Sequence, residues 1–269
     1  MDNILTDDRD TETNQVSRYF LEVSYKGTRY KGFQIQSEDI TIQSEVEKAL
    51  NILLKQKIHL TGSSRTDAGV HALQNFFHFD IGQILRHKLL YNLNALLPTD
   101  IVAKGLYKVD NNAHSRFDAL CREYKYFIYQ QKDPFLRETA CFYPFAMDIE
   151  QLQNAAKLIV AYTDFTSFSK RNTQVKTFNC NILLSEWTIE NNCFVYHVKA
   201  NRFLRGMVRG LVGTMLKVGR GTISLAQFRK IIESKNCANA DFSAPAHGLF
   251  LVEVEYKNTL EMEAGLPSK

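Results

Sequence analysis

The chain has 269 residues, 45% of them hydrophobic, and a formal net charge of +4. That length and apolar content support a sizeable core in one large or two medium domains, and no run approaches the roughly 18 apolar residues of a membrane span. The five cysteines, at 121, 141, 180, 193 and 237, are odd in number, widely spaced and never CxxC. This argues against a disulfide framework and a zinc site, and fits reduced thiols in a cytoplasmic protein.

Charge is unevenly spread. Residues 1–17 carry five acids and one base, a net −4, so the rest of the chain carries +8. The start lacks the basic head and apolar middle of a secretory signal and reads as a disordered acidic tail. A basic body is, alone, weak support for a polyanionic partner.

In chain order, "RYFLEVSY" (18–25) alternates and predicts a half-buried strand. A Gly-punctuated basic loop with Lys26, Arg29 and Lys31 follows. Residues 41–56 place Ile42, Val46, Ala49, Leu50, Leu53 and Leu54 on one helical face, with Thr41 as N-cap. Strands are expected at 57–60, 75–81 and 101–109, and a helix at 85–98 that stops at Pro98. The second half repeats the cadence, with a strand at 121–130 and a helix at 148–162. A hairpin at 181–190 and 193–200 turns on "NN", helices follow at 203–219 and 225–234, and a strand closes at 249–256. Mixed elements with antiparallel links favour α+β over a doubly wound sheet. The expected organisation is an acidic tail (1–17), two related mixed α/β halves (18–115 and 116–258) with largely antiparallel sheets, and a C-terminal tail (259–269).

Three stretches carry candidate chemistry. In "GSSRTDAGVHA" (62–72), Arg65 and Asp67 stand two apart among small residues. If extended, they face the same side, and an adjacent guanidinium favours an ionised carboxylate, as a carboxylate nucleophile requires. The same spacing also suits an exposed loop salt bridge, worth about 0–1 kcal/mol. His71 and His78 with one acid make no metal-ligand set. In "CREYKYFIY" (121–129), Arg122, Tyr124, Tyr126 and Ile128 share a strand face, either a base-stacking platform or a core strand with hydrogen-bonded tyrosines. In "NRFLRGMVRGLVGTMLKVGRG" (201–221), Leu204, Val208, Leu211 and Met215 form a core stripe. Arg202, Arg205 and Arg209 would lie within about 60° of one another beside it, a solvated basic face or an anion site. Gly206, Gly210 and Gly213 weaken the helix but permit close backbone packing.

Taken in order, "GSSRTDAGVHA", "RFDALCREYKYFIY", "DFTSF", "NRFLRGMVRGLVGTMLKVGRG" and "APAHGLFLVEVEY" resemble the tRNA pseudouridine synthase A (TruA) family over about residues 18–257. The resemblance implies an isomerase that turns uridine into pseudouridine at positions 38, 39 and 40 in the anticodon arm of tRNA. It implies no cofactor and no metal, a homodimer with tRNA across both subunits, and a two-part α+β fold around a central RNA-binding cleft. Position by position, Asp67 matches the essential aspartate, Arg65 the arginine of the same block and Tyr124 the active-site tyrosine. Arg209 matches a cleft-lining arginine and Leu249 an apolar residue near the base. Arg202, Arg205 and the loop cations Lys26, Arg29 and Lys31 are expected to meet the RNA backbone. Phe33, Ser64 and Glu123 depart from the family pattern, where Trp, Gly and a basic residue are common. Two other readings are a non-catalytic tRNA-binding or folding module of the same fold, and a hydrolase using Asp67 with Asp80 or Asp118 as a second carboxylate.

Overall fold

A computed structural model describes residues 16–37, 39–83, 85, 88–171 and 175–257. The acidic tail and the C-terminal tail fall almost wholly outside that set. The alternating segments become strands β1 (Ser17–Tyr25), β3 (His71–Ile81), β4 (Ile101–Val109), β5 (Ala119–Tyr129), β7 (Ile182–Glu190), β8 (Cys193–Ala200) and β9 (Leu249–Tyr256), with two-residue strands β2 (Thr61–Gly62) and β6 (Cys141–Phe142). They join one sheet in the order β4-β1-β3-β9-β5-β8-β7, with β2 on β3 and β6 on β5. Pairing is antiparallel except for β3 with β9 and β5 with β6.

Five helices complete the α+β fold among the described residues: α1 (Ile42–Leu54), α2 (Leu89–Leu96), α3 (Ile149–Ile159), α4 (Met207–Gly219) and α5 (Leu225–Glu233). Local chemistry sets several ends. Thr41 caps α1 in a reciprocal box with Ser44, Asp148 accepts from the backbone N–H groups of Glu150 and Gln151, and Ser224 pairs with Gln227 at α5. Asn191 and Asn192 both take positive φ, 49° and 63°, at the β7–β8 tip, as a two-residue hairpin turn needs.

Three expected elements differ. Residues 57–60 pair with no strand. Their backbone bonds go to α1 side chains instead: Ile58 N–H to Asn51 Oδ1 and Leu60 N–H to Glu47 Oε1, while Gln43 Nε2 donates to Leu60 O. Of the helix expected at 85–98, α2 (Leu89–Leu96) is seen, and it ends where Leu97 must be extended before Pro98. Residues 86 and 87 of that span lie outside the described set. The helix expected from 203 starts at Met207, because Gly206 takes φ +74° and breaks any earlier helical path.

The sheet centre positions the site. One ladder row runs Tyr25–Ala72–Leu251–Tyr124–Val198 across five strands. Paired residues share a face, so two tyrosines far apart in sequence look the same way. Behind them lies one large core, in which Phe33 stacks on Phe77 at 4.5 Å.

Candidate active site

The 63–67 segment is tied to the sheet by buried polar groups. Ser63 N–H donates to Phe76 O at 2.8 Å, and Asn75 Nδ2 donates to Ser64 O at 2.9 Å and to the Tyr25 hydroxyl at 3.2 Å. The Tyr25 and Thr66 hydroxyls bond at 2.8 Å, and Thr66 O accepts from Phe33 N–H at 3.1 Å. Both Thr66 oxygens are thereby occupied. The chain then turns, with Val70 N–H donating to Asp67 O and Gly69 at φ +79°. Asp67 is left at the turn with its side chain 31% exposed. Sequence reading did not single out Tyr25, Thr66 or Asn75 as supports. Asn75 is fully buried in β3, a strand that also carries Gln74, His78 and Asp80, so its sequence did not set this amide apart.

The cation facing Asp67 is not Arg65. Arg209 Nη1 lies 3.7 Å from Asp67 Oδ2, while the expected Arg65–Asp67 ion pair does not form among the described residues. Arg65 is exposed and lines a neighbouring cavity with Arg116 and Phe117 instead. Arg209 sits in the first turn of α4, and its Nε donates to Ala244 O at 2.6 Å. The neighbouring Pro245 O accepts from the Tyr126 hydroxyl at 2.8 Å. Segment 244–245 thus braces α4 against β5. Gly213 allows this approach, since a Cβ there would stand 2.3 Å from Asp241 O.

Tyr124 completes the group. Its ring packs edge-on against Phe203 at 5.0 Å. Its hydroxyl has no hydrogen-bond partner among the described residues and is not sealed inside the protein. Burial pushes that hydroxyl up to about 12, with the Arg122 charge opposing and the Asp67 charge adding to the shift. It therefore stays protonated at working pH. Tyr126 and Ile128, on the same strand face, are fully buried, so of the two tyrosines expected in the platform Tyr124 is the one offered to a ligand, beside the half-buried Arg122. Leu249, 6% exposed, pairs with Tyr126 on β9.

The three arginines expected on one helix face go separate ways. Only Arg209 is in α4; Arg202 and Arg205 precede it, beyond the break at Gly206. Arg205 is exposed, and Arg202 stands close enough to Arg116 and Arg122 to oppose their charges. Lys26 pairs with Glu138, and Arg29 pairs with Asp100 at 2.7 Å. Lys31 is exposed.

The remaining candidates are structural. His71 is buried between Gly27 N–H and the carbonyls of Glu138 and His247, and His78 bonds Ser115. Asp80 makes a two-pronged pair with Arg18 at 2.6 and 2.7 Å, and Asp118 accepts from His114 N–H. Neither acid joins Asp67. Among the described residues no three His, Cys, Asp or Glu side chains gather to hold a metal ion, and no helix is long and apolar enough to cross a membrane.

This fold, with one half-exposed carboxylate facing a braced arginine and a free phenol, coincides with a known sequence family. A family profile described as tRNA pseudouridine synthase matches residues 22–118 and 155–257. The chain belongs to that family of isomerases. Among its relatives, tRNA pseudouridine synthase A of Bacteroides fragilis is 47% identical over 244 residues, covering 90% of this chain and 97% of that protein. The protein of the same name from Parabacteroides distasonis is 44% identical over 247 residues, with the same coverages of 90% and 97%. That from Staphylococcus aureus is 37% identical over 240 residues, covering 88% and 90%.

Proposed function

We propose that this chain isomerises uridine to pseudouridine at positions 38, 39 and 40 of the tRNA anticodon arm, with Asp67 as the nucleophile. The observation that carries this is the placement of Asp67, opposite Arg209 and beside Tyr124, on a loop whose backbone is fixed by Tyr25 and Asn75. The reaction breaks the N1–C1′ bond, turns the uracil and joins C5 to C1′; the C5 proton leaves and N1 regains one. No net redox change or energy input is required. The base must first leave its stack, which costs a few kcal/mol. Tyr124 receives it, with the protonated hydroxyl free to bond a uracil oxygen. Asp67 attacks C1′ or C6, or removes the C2′ proton, and Arg209 steadies its charge. Leu249 backs the base pocket. Arg65, Arg202 and Arg205 meet the RNA backbone, which makes binding strongly salt-dependent. The enzyme works in the cytoplasm as a homodimer with tRNA lying across both subunits.

The test is tritium release from tRNA labelled at uridine C5, with wild type beside Asp67→Asn. Release by wild type alone, without free uracil, supports the reading. Free uracil would make the protein a hydrolase. No release from a folded, tRNA-binding wild type would make it a binding module.

A further inference from the structure

The Asp67 loop has a second flank. Arg65 there enters a cavity of about 180 Å³ walled by Phe33, Gln34, Arg65, Arg116 and Phe117. The cavity is smaller than the roughly 300–1,000 Å³ typical of sites for drug-sized ligands. It has room for a single ring or a phosphate, not a stretch of chain. Phe117 is 74% exposed, so its ring face is open to a ligand at the cavity wall. Its ring is already oriented by His114 at 4.2 Å and lies 5.8 Å from the Arg116 guanidinium. The Gln34 amide is exposed and without a hydrogen-bond partner among the described residues.

The charge around this cavity is unbalanced. Burial first, and then the like charges of Arg65, Arg122 and Arg202, hold Arg116 below its ordinary range. Arg122 is fixed by three carbonyls, of Arg116, Ala119 and Asn201. Neither Arg65, Arg116, Arg122 nor Arg202 has a carboxylate within ion-pair distance among the described residues. Gathered guanidinium groups with no acid between them call for an external anion, and phosphate oxygens match their donors.

We propose that this cavity takes the base of a second nucleotide of the RNA, one flanking the isomerised uridine, against Phe117, with that nucleotide's phosphate outside the cavity on the exposed Arg65 and Arg116. The inference rests on the tRNA reading above and adds a substrate contact outside the Asp67–Tyr124 group. Arg65 is two residues from Asp67, so the seat adjoins the loop that carries the reacting group. Holding the unstacked neighbour would help keep the target out of its stack.

The experiment uses the full chain and an anticodon stem-loop RNA, intact or with an abasic ribose on the 5′ or 3′ side of the target. Affinity and single-turnover conversion are measured for wild type, Phe117→Ala and Arg116→Gln. On intact RNA, Phe117→Ala weakens binding about tenfold to a hundredfold. On RNA lacking the seated base, it costs nothing further. Arg116→Gln lowers the slope of log affinity against log salt by about 0.7, the loss of one single-strand phosphate contact. Losses from Phe117→Ala and the abasic sites that multiply independently, or unchanged affinity for intact RNA, overturn the proposal. Phe117 is exposed, so its replacement leaves the fold standing. A wild type that binds RNA without converting it would sink the isomerase reading, while the affinity coupling would still decide the seat.

Discussion

At the scale of single residues, the site is built from groups with unequal freedom. Asp67 and Arg209 face each other at 3.7 Å, longer than a direct hydrogen bond, so both keep capacity for a substrate. Tyr124 differs from its buried neighbours. The hydroxyls of Tyr25, Tyr126 and Tyr196 each have a protein partner, and that of Tyr124 has none among the described residues. A hydroxyl without a folded-state partner adds little stability. Tyr124→Phe should therefore melt within about 0.5 kcal/mol of wild type. Its turnover should fall about tenfold, from the lost hydrogen bond to the base. An unchanged rate would remove the hydroxyl from the mechanism.

At the scale of elements, the link between β3 and the 110–118 segment is titratable. Ser115 N–H donates to His78 Nδ1 at 3.2 Å, and Ser115 Oγ lies 2.8 Å from the same nitrogen. A protonated Nδ1 would turn that contact into two opposed donors. Burial, helped by His114 and Arg18, pushes the imidazole down to about 4 from its ordinary 6.5. Between those values the unfolded chain binds the proton and the folded chain does not. The contribution of His78 is thus complete above about pH 6.5 and is lost as pH falls towards 4. His78→Asn keeps an acceptor and removes the titration. Its melting temperature should fall less than that of wild type between pH 6.5 and 4. Equal falls for the two proteins would show that acid sensitivity arises elsewhere.

At the scale of the whole molecule, the last strand occupies the middle of the sheet. β9 lies parallel to β3 and antiparallel to β5, and it is what joins β4-β1-β3 to β5-β8-β7. Its ladder with β3 is short, His71 with Phe250 and Ala72 with Leu251. Gln74 Oε1 then takes over as acceptor from Val254 N–H. Leu251 is fully buried at this junction. Leu251→Ala should cost about 2–5 kcal/mol in urea unfolding, in a single transition seen alike by probes from either side of the sheet. A cost below about 1 kcal/mol would mean that the junction is not where the two sides are held.

What the sequence by itself determined was local or written as a block. Strand alternation, the Thr41 cap, the Asn191–Asn192 turn and the stop before Pro98 each depend on a few neighbouring residues. The "GSSRTDAGVHA" block marked Asp67 without any tertiary knowledge. Tertiary structure alone decided which cation meets it. The spacing favoured Arg65, but Arg65 lies beside Arg116 and Phe117 instead. The break at Gly206 separates Arg202 and Arg205 from Arg209, and the brace at Ala244 aims Arg209 across the site. Residues 57–60 likewise looked like a strand, until α1 side chains took the backbone bonds that a neighbouring strand would have used. The physical reason is common to all these cases. Periodicity and turn chemistry record what a residue does with its immediate neighbours. A contact between distant segments depends on how the sheet and helices close, and on which hydrogen-bond partner arrives first in space rather than in sequence.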